Sequence, residues 1–207
     1  MPYDPFKHHR RSIRLKGYDY SQEGAYFVTI CVKNGEPILG EIIDGAMRLN
    51  NWGQIVDFEW RLTEHLRRNV ILDEYQVMPN HFHGIFWILN KHVENFQVSS
   101  KRILLQHPFR KIHKHLPTTF GRPPKGSLGV IVGGFKSAVT AAVNDLEETP
   151  GASFWQRGYY DQIIRNERHL QNVRRYIKNN PANWKKDCLH PRQPTNKFNE
   201  VWRKRVD

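Results

Sequence analysis

Two histidines separated by one residue are the first feature of the chain that can carry chemistry. His81 and His83 flank Phe82, and bulky apolar and aromatic residues continue without a breaker from Ile85 to Leu89, which predicts a strand. Because side chains alternate between the two faces of a strand, the histidines share one face, about 7 Å apart along the backbone. Two imidazoles at this spacing can converge on one metal ion. The alternative is a hydrogen-bonded pair without a ligand, because motifs this short also arise by chance.

A second group of candidate residues lies in the last predicted helix, from Glu167 to Asn179. Tyr176 and Asn180 are four residues apart and therefore lie on one face, a single turn from each other. Pro181 disfavours helical geometry at Asn180 and is expected to end the helix there, which leaves that side chain free for another task. Alone, these residues predict only that Tyr176 packs in the core with its hydroxyl in contact with water, and that Asn180 ends the helix. The packing stripe of this helix has helical spacing and consists of Leu170, Val173 and Ile177.

The charge of the chain is strongly positive. Its 207 residues contain 32 Lys and Arg against 20 Asp and Glu, a formal net charge of +12. Such an excess attracts polyanions, of which nucleic acid is the commonest; a basic surface that serves solubility is the alternative. Two cysteines make no disulfide framework, and the sequence has no long apolar segment and no signal peptide. We therefore expect a cytoplasmic protein without a membrane partner.

The order of the predicted elements indicates one α+β domain over residues 1–207. The elements are strand, helix, strand, strand, helix, strand and helix, and the first six match a ferredoxin-like (RRM-like) antiparallel sheet with helices on one face. In that topology the histidines lie on an open face of the sheet, and the last helix has this free face available. Three regions fall outside the core: a basic arm at 1–20, an insertion loop at 90–125 and a basic tail at 184–207.

Taken together, these motifs resemble a known family. In chain order they are similar to the REP-associated tyrosine transposases of the HUH endonuclease superfamily, which use a single tyrosine. The resemblance covers most of the chain, apart from the region between Val93 and Pro124 and the tail after Trp184. The stretches that carry it are Arg14–Tyr20 leading to Gly24–Thr29, then Met78–His83, Gly133–Ser137, Phe154–Asp161 and Tyr176–Pro181.

The resemblance implies a reaction and a role for each of four residues. Tyr176 would be the nucleophile at the end of a helix that follows the sheet. His81, His83 and Asn180 would bind a divalent metal ion, Mg²⁺ or Mn²⁺. Attack on a DNA phosphate would leave a 5′-phosphotyrosine link and a free 3′-hydroxyl, and a second 3′-hydroxyl could reverse the link by strand transfer. The implied partner is single-stranded or hairpin DNA from repetitive extragenic palindromes, bound by a monomer or a homodimer.

Basic residues near these motifs are the candidate phosphate contacts. Arg14 and Lys16 belong to the basic arm, and Lys136 stands near the start of a predicted helix. Four arginines border the proposed site and complete the set: Arg157, Arg165, Arg174 and Arg175. For each of these residues the alternative is a solvated surface position, where basic side chains are usually found.

Two other functions stay open at this point. The first is a catalytically silent DNA-binding protein that recognises palindromes and transposes nothing. The second is an RNA-binding module on a ferredoxin-like sheet, in which aromatic residues on the open face stack with bases. If the protein is an RNA-binding module, aromatic side chains should lie on the open sheet face where the histidines are expected. Its binding of RNA should then not depend on a metal ion.

Overall fold

The protein is described by a computed structural model that covers residues 18–89 and 125–192. Its strands are β1 (Gly24–Cys31), β2 (Gly40–Ile43), β3 (Ala46–Leu49), β4 (Val70–Val77), β5 (His81–Ile88) and β6 (Tyr160–Ile164). Its α-helices are α1 (Asn51–Leu66), α2 (Leu128–Leu146) and α3 (Glu167–Asn179). The main sheet has four antiparallel strands in the order β4–β5–β1–β6, and β2 and β3 form a separate hairpin.

This strand order confirms the predicted α+β, ferredoxin-like fold. The central strand β1 is buried along nearly its whole length, as its run of β-branched and aromatic residues predicts. Asn50 caps α1 by accepting the backbone N–H of Gly53 at 3.0 Å, and Asn166 caps α3 by accepting that of His169 at 2.8 Å. Both caps satisfy donors that a helix start leaves unpaired.

Helices cover both faces of the sheet. The helices α1 and α2 enclose the larger core on one face, where the sheet contributes Tyr26, Val28, Ile30, Phe82 and Phe86. On the other face, α3 packs its predicted stripe against Ala25, Phe27 and Ile85. The expectation that the histidines lie on an open face is therefore wrong. The apolar stripe of α3 takes that face, so His81 and His83 are buried beneath it.

The position of β5 is fixed from the side opposite the histidines. Phe82, which lies between them in the chain, packs its ring 4.6 Å from that of Trp60 and 5.3 Å from that of Phe135. At Gly84 a Cβ atom would stand 2.6 Å from the Trp60 ring, so the tryptophan approaches the strand only because glycine has no side chain there. This aromatic layer holds the pleat of β5 and thereby the direction of the two histidines.

A bulge in β4 ties α3 to the sheet. The pairing register between β4 and β5 shifts at Asp73 and Glu74, and both acidic side chains reach α3. Arg174 donates two hydrogen bonds to Asp73, at 2.8 and 2.6 Å, and Nζ of Lys178 lies 3.1 Å from Glu74. A bulge places neighbouring side chains in directions that a regular strand does not allow, and here it presents two carboxylates to one helix.

The end of α3 differs from the sequence expectation in one respect. The helix ends at Asn179, as the sequence predicts, and Asn180 is its C-cap. Asn180 itself keeps right-handed helical dihedral angles, φ −60° and ψ −44°, so the expected departure from helical geometry at this residue is wrong. Pro181 ends the helix because it has no N–H to continue the bonding pattern. The side chain of Asn180 consequently stays on the face of Tyr176.

Two further features concern membrane spans and the cysteines. Across residues 18–89 and 125–192, no helix combines the length and the apolar character that a membrane span requires. Both cysteines, Cys31 and Cys188, are free thiols. The predicted contacts Arg14 and Lys16 and the predicted insertion loop up to residue 124 lie outside the described residues.

Candidate metal and nucleophile site

The two histidines meet at the centre of the site. Nε2 of His81 lies 3.0 Å from Nε2 of His83, and both residues are buried, with 0% and 2% of their surface exposed. The neighbouring strand β1 supports them, since Cys31 pairs with His81 and Thr29 with His83. Nδ1 of His83 is hydrogen-bonded to the Thr29 hydroxyl at 2.8 Å. Each ring thus has one nitrogen fixed by its surroundings and the other directed at its partner.

Asn80 determines which nitrogen of His81 carries the proton. Its Nδ2 group donates to the carbonyls of Gly35 and Leu189, at 2.9 and 2.8 Å. Its Oδ1 therefore faces Nδ1 of His81, at 2.8 Å, and can only accept. The proton of His81 must then be on Nδ1, which leaves Nε2 with a free lone pair for a ligand.

Burial keeps both imidazoles neutral. It lowers the pKa of His81 to about 3, and the side chain of Asn180 opposes this shift. Burial first, and His81 second, lower the pKa of His83 well below its ordinary value, while Asp187 acts in the opposite direction. At neutral pH both rings are therefore uncharged, which is the form that binds metal ions.

Tyr176 reaches the same point from α3. Its hydroxyl lies 3.2 Å from Nε2 of His83. Its ring meets those of His83 and Phe27 edge-on, with centroids 5.1 and 6.3 Å apart. The residue as a whole is 45% exposed, while the hydroxyl is turned toward the sheet. Burial raises the pKa of this hydroxyl well above its ordinary value, and the Asp187 carboxylate adds to the effect, so the group is protonated at neutral pH.

Asn180 lies one helical turn beyond Tyr176 and is 3% exposed. Its Nδ2 donates to Oδ2 of Asp187 at 2.6 Å. Its Oδ1 is buried and has no hydrogen-bond partner within the described part of the chain. A buried acceptor left unpaired costs about 1–3 kcal/mol. A cation bound at this oxygen would remove that cost.

A carboxylate completes the cluster. Asp187 is 6% exposed, and one ligand atom from each of Asp187, His81 and His83 lies within 4.8 Å of the others. The carboxylate also accepts the backbone N–H of Leu189 at 2.6 Å. No ion pair between residues that the structure describes contains Asp187. Burying a carboxylate without a cationic partner is unfavourable, which favours a cation beside it.

The sequence analysis does not predict Asp187 as a residue of the site. The predicted basic tail spans 184–207, but residues 184–192 turn back onto the site, where the ring of Trp184 lies 5.9 Å from that of His81. No periodicity marks Asp187, which stands between Lys186 and Cys188. The available signal is an acidic residue directly after two lysines in a basic segment, and this signal has many other causes.

The donor set fits a divalent ion. Two ligands in neighbouring positions of an octahedron, each about 2.1 Å from the ion, are about 3.0 Å apart. This is the separation of the two Nε2 atoms. The unpaired oxygen of Asn180 is a third donor, and the Asp187 carboxylate supplies negative charge. Oxygen ligands suit Mg²⁺ and Mn²⁺, while imidazoles also suit other transition metals, so the identity of the ion stays a prediction.

The predicted phosphate contacts differ in how freely they can reach a ligand. Nζ of Lys136 donates to the carbonyls of Gln156 and Gly158, both at 2.7 Å, and burial lowers its pKa to about 8. Lys136 therefore holds the loop that precedes β6. Arg174 is engaged by Asp73 in the α3–β4 contact. These two residues have structural partners already.

The three other predicted arginines that the structure describes are exposed: Arg157, Arg165 and Arg175. Arg175 precedes Tyr176 on α3. Arg165 follows the end of β6 where Ile164 pairs with Ala25, which is the end of the sheet away from the histidines. Arg157 lies in the loop that Lys136 holds. Arg157 and Arg175 are therefore better placed than Arg165 to contact a substrate at the site.

An open groove lies beside the end of β1. It has a volume of about 880 Å³ between the turn after β1, one side of α2 and the loop before β6, and none of the described residues that line it is acidic. One lining residue, Gln156, donates its backbone N–H to the carbonyl of Cys31 at 2.9 Å, and Cys31 is the strand partner of His81. Its basic and polar lining includes Lys33, Asn34, Lys136, Thr140, Asn144 and Arg157.

The same fold occurs in a solved tyrosine transposase. A REP-associated tyrosine transposase bound to a REP hairpin superposes on this chain with a TM-score of 0.51 and 14% sequence identity, over 84% of this chain and 74% of that one. At this identity the likeness shows the fold.

Sequence similarity shows the family. The chain is 40% identical over 183 residues to an uncharacterized protein of Haemophilus influenzae, a match that covers 88% of this chain and 94% of that protein. The chain belongs to the same family as that protein. No protein-family model matches the chain.

Proposed function

We propose that the protein is a metal-dependent endonuclease and strand transferase for single-stranded DNA, with Tyr176 as the nucleophile. The observation that carries this proposal is the convergence of the Tyr176 hydroxyl on the histidine pair, 3.2 Å from His83. The fold supports it, because a tyrosine transposase with this fold has been solved with a REP hairpin bound. We extend the hairpin to this chain as its class of substrate, and we propose a DNA hairpin with a single-stranded flank.

The reaction exchanges one phosphodiester bond for another. Oη of Tyr176 attacks the phosphorus, an O–P bond forms, and the bond from phosphorus to the 3′-oxygen of the preceding nucleotide breaks. The proton lost by the tyrosine is balanced by the proton that the departing 3′-oxygen gains. The products are a 5′-phosphotyrosine and a free 3′-hydroxyl, so no water is consumed and a second 3′-hydroxyl can reverse the step.

The proposed ligands of the site are His81, His83 and Asn180, and the Asp187 carboxylate supplies negative charge beside them. When bound, a divalent ion such as Mg²⁺ or Mn²⁺ supplies a Lewis acid for the phosphate. The residues themselves do the positioning: α3 sets the tyrosine hydroxyl beside His83, and the sheet fixes both imidazoles. The Tyr176 hydroxyl must lose its proton during attack, and burial alone makes that loss harder.

The groove beside the end of β1 is the proposed path of the single strand. Its basic residues Lys33 and Arg157, and the lack of acidic side chains among the described residues that line it, suit a phosphate backbone. The net charge of +12 acts in the same direction over longer distances. Arg175 would contact the strand at the other side of Tyr176. Arg14, Lys16 and Arg165 stay predicted contacts, and Lys136 and Arg174 act mainly by holding the structure around the site.

The two alternative functions fit the structure less well. An RNA-binding sheet of the ferredoxin-like type stacks bases on an exposed face, but here α3 covers that face and the histidines beneath it are buried. A silent DNA-binding protein would have no need for the aligned tyrosine, imidazoles and unpaired amide oxygen. The arrangement of these groups favours the enzyme.

Cleavage of end-labelled DNA tests the proposal. A hairpin with single-stranded flanks, labelled at its 5′ end, is incubated with the protein in Mn²⁺ or in a chelator. We expect a shorter labelled strand in Mn²⁺ only, and a polymerase should extend it because it ends in a 3′-hydroxyl. Fully duplex DNA of the same composition is the matched control. Tight hairpin binding without any cleavage would contradict the enzyme and favour the silent binding protein.

A further inference from the structure

We propose that Asp187 is a positioning residue: it fixes the orientation of the Asn180 side-chain amide and so directs its oxygen at the metal site. This inference rests on the proposed function, because it concerns a ligand of that site. The residue acts through Asn180, and its effect is on the affinity for the ion.

The orientation of an amide depends on what surrounds its two ends. The oxygen can only accept hydrogen bonds and the NH₂ group can only donate. A 180° rotation of the amide would therefore direct the NH₂ group, which repels a cation, at the metal site in place of the oxygen. Oδ2 of Asp187 lies 2.6 Å from the Asn180 amide nitrogen, and an ionised carboxylate can only accept. The NH₂ group therefore faces Asp187. The oxygen is left on the other side, buried and without a partner among the described residues.

The carboxylate is itself held in place. Its other oxygen, Oδ1, accepts the backbone N–H of Leu189 at 2.6 Å. The carbonyl of Leu189 in turn accepts from Nδ2 of Asn80 at 2.8 Å, and Asn80 sets the proton of His81 through the 2.8 Å contact with its Nδ1. One short turn therefore orients two ligands from two different elements. Such supporting partners of metal ligands govern affinity as the ligands do.

An asparagine at position 187 cannot reproduce this arrangement. Asp187 accepts on both sides, from Asn180 and from Leu189, whereas an amide has one oxygen and one NH₂ group. If the new amide turns its oxygen to Leu189, its NH₂ faces the NH₂ of Asn180 and forces that group to turn. If it turns the other way, two donors meet at Leu189. Either outcome disturbs the ligand geometry at nearly constant volume.

Titration of the full-length protein with Mn²⁺, without DNA, tests the proposal. Calorimetry should show that Asp187→Asn binds Mn²⁺ about 10- to 100-fold more weakly than wild type, the usual effect of removing a partner of a metal ligand. Asp145→Asn, the same substitution at an exposed position of α2, is the matched control and should bind as wild type does. Unchanged affinity in Asp187→Asn would overturn the proposal.

A double-mutant cycle separates positioning from direct ligation. If Asp187 acts mainly through Asn180, then Asp187→Asn should weaken Mn²⁺ binding much less once Asn180→Ala has removed the amide. Additive losses would instead make Asp187 an independent ligand and overturn the positioning role. The cycle measures Mn²⁺ binding alone, so its result is independent of whether the protein cleaves DNA. A wild-type protein that binds no Mn²⁺ would overturn both this inference and the proposed metal site.

A second measurement uses the wild-type protein alone, so its result does not depend on whether a variant folds correctly. In ¹⁵N-labelled wild-type protein, the side-chain NH₂ protons of Asn180 should exchange slowly with solvent, before and after addition of Mg²⁺, because they stay bonded to Asp187 in both states. Exchange as fast as that of an exposed asparagine side chain would contradict the proposal.

Discussion

The hydroxyl of Tyr176 lies 3.2 Å from Nε2 of His83, although 93 residues separate them in the chain. Helix α3 and strand β5 contribute one group each, and the contact depends on how the helix lies across the sheet. Its apolar stripe sets the side that faces β1 and β5, and its ion pairs with the β4 bulge set its position along the strands. The proposed nucleophile and ligand are thus aligned by packing of the protein itself.

Removal of either histidine should abolish binding of the divalent ion. In His81→Ala or His83→Ala, one neutral imidazole is lost from a site whose donors are few, and weakly held hard cations depend on every ligand. We expect Mn²⁺ binding by calorimetry and DNA cleavage to disappear together. His169→Ala, on α3 and outside the cluster, is the matched control. Unchanged Mn²⁺ affinity in both variants would show that the two histidines have a structural role and do not bind the ion.

Neighbouring arginines on α3 should have different effects. Arg174→Ala leaves the mostly buried Asp73 without its cationic partner and should lower the free energy of unfolding by about 1–3 kcal/mol. Arg175→Ala removes an exposed side chain and should change stability by less than about 0.5 kcal/mol. Urea unfolding of the two variants measures the difference. Equal stabilities would show that the contact between α3 and the bulge contributes little.

The same contact predicts a pH dependence. Burial alone would raise the pKa of Asp73, but hydrogen bonds from Arg174, from Trp87 and from the backbone of Glu74 outweigh it and lower the pKa below the ordinary value. A carboxylate with a lowered folded-state pKa stabilises the protein above its unfolded pKa, and this stability is lost as the pH falls through the folded value.

Unfolding experiments on Asp73→Asn and wild type test this dependence. We expect the free energy of unfolding to fall more steeply in wild type than in the variant as the pH falls below about 4, the ordinary pKa of an aspartate carboxyl. Parallel pH profiles for the two proteins would contradict the assignment.

Salt should weaken DNA binding strongly. For single strands, the logarithm of the affinity falls with the logarithm of salt concentration by about 0.7 per phosphate contacted. Arg157→Ala and Arg175→Ala should therefore each flatten the slope by about this amount and weaken hairpin and scrambled DNA alike. The hairpin should keep its advantage at every salt concentration. A shallow slope with matching RNA bound more tightly than DNA would favour the RNA-binding alternative.

The parts of the structure that follow from short-range sequence patterns are predicted well. Period-two alternation places His81 and His83 on one face, and the spacing of Leu170, Val173 and Ile177 predicts α3 and its packing side. Resemblance to a family indicates Tyr176 and Asn180. The convergence of these residues on one point comes from long-range packing, and α3 covers a face that the first six elements alone would leave open.

The remaining parts could not be predicted because no local pattern encodes them. Asp187 enters the site through a turn with no periodicity, and its effect depends on the distance to Asn180. Arg174 and Arg175 are adjacent and chemically alike, and only the bulge at Asp73 shows that the first holds the structure while the second is exposed. Sequence patterns identify elements and faces, whereas the partners of polar side chains depend on the folded chain.

The most direct test of the proposed function is to identify the residue that becomes linked to DNA. Wild-type protein is incubated with hairpin DNA and Mn²⁺, digested, and examined by mass spectrometry for a nucleotide on a tyrosine. Tyr160→Phe is a matched control, because Tyr160 packs on the same Phe27 ring as Tyr176, with centroids 6.3 Å apart in both pairs. We expect the link at Tyr176 in wild type and in Tyr160→Phe, and no link in Tyr176→Phe, which should still bind the hairpin. A covalent adduct that persists in Tyr176→Phe, or a link at another residue, would contradict the assignment of Tyr176 as the nucleophile.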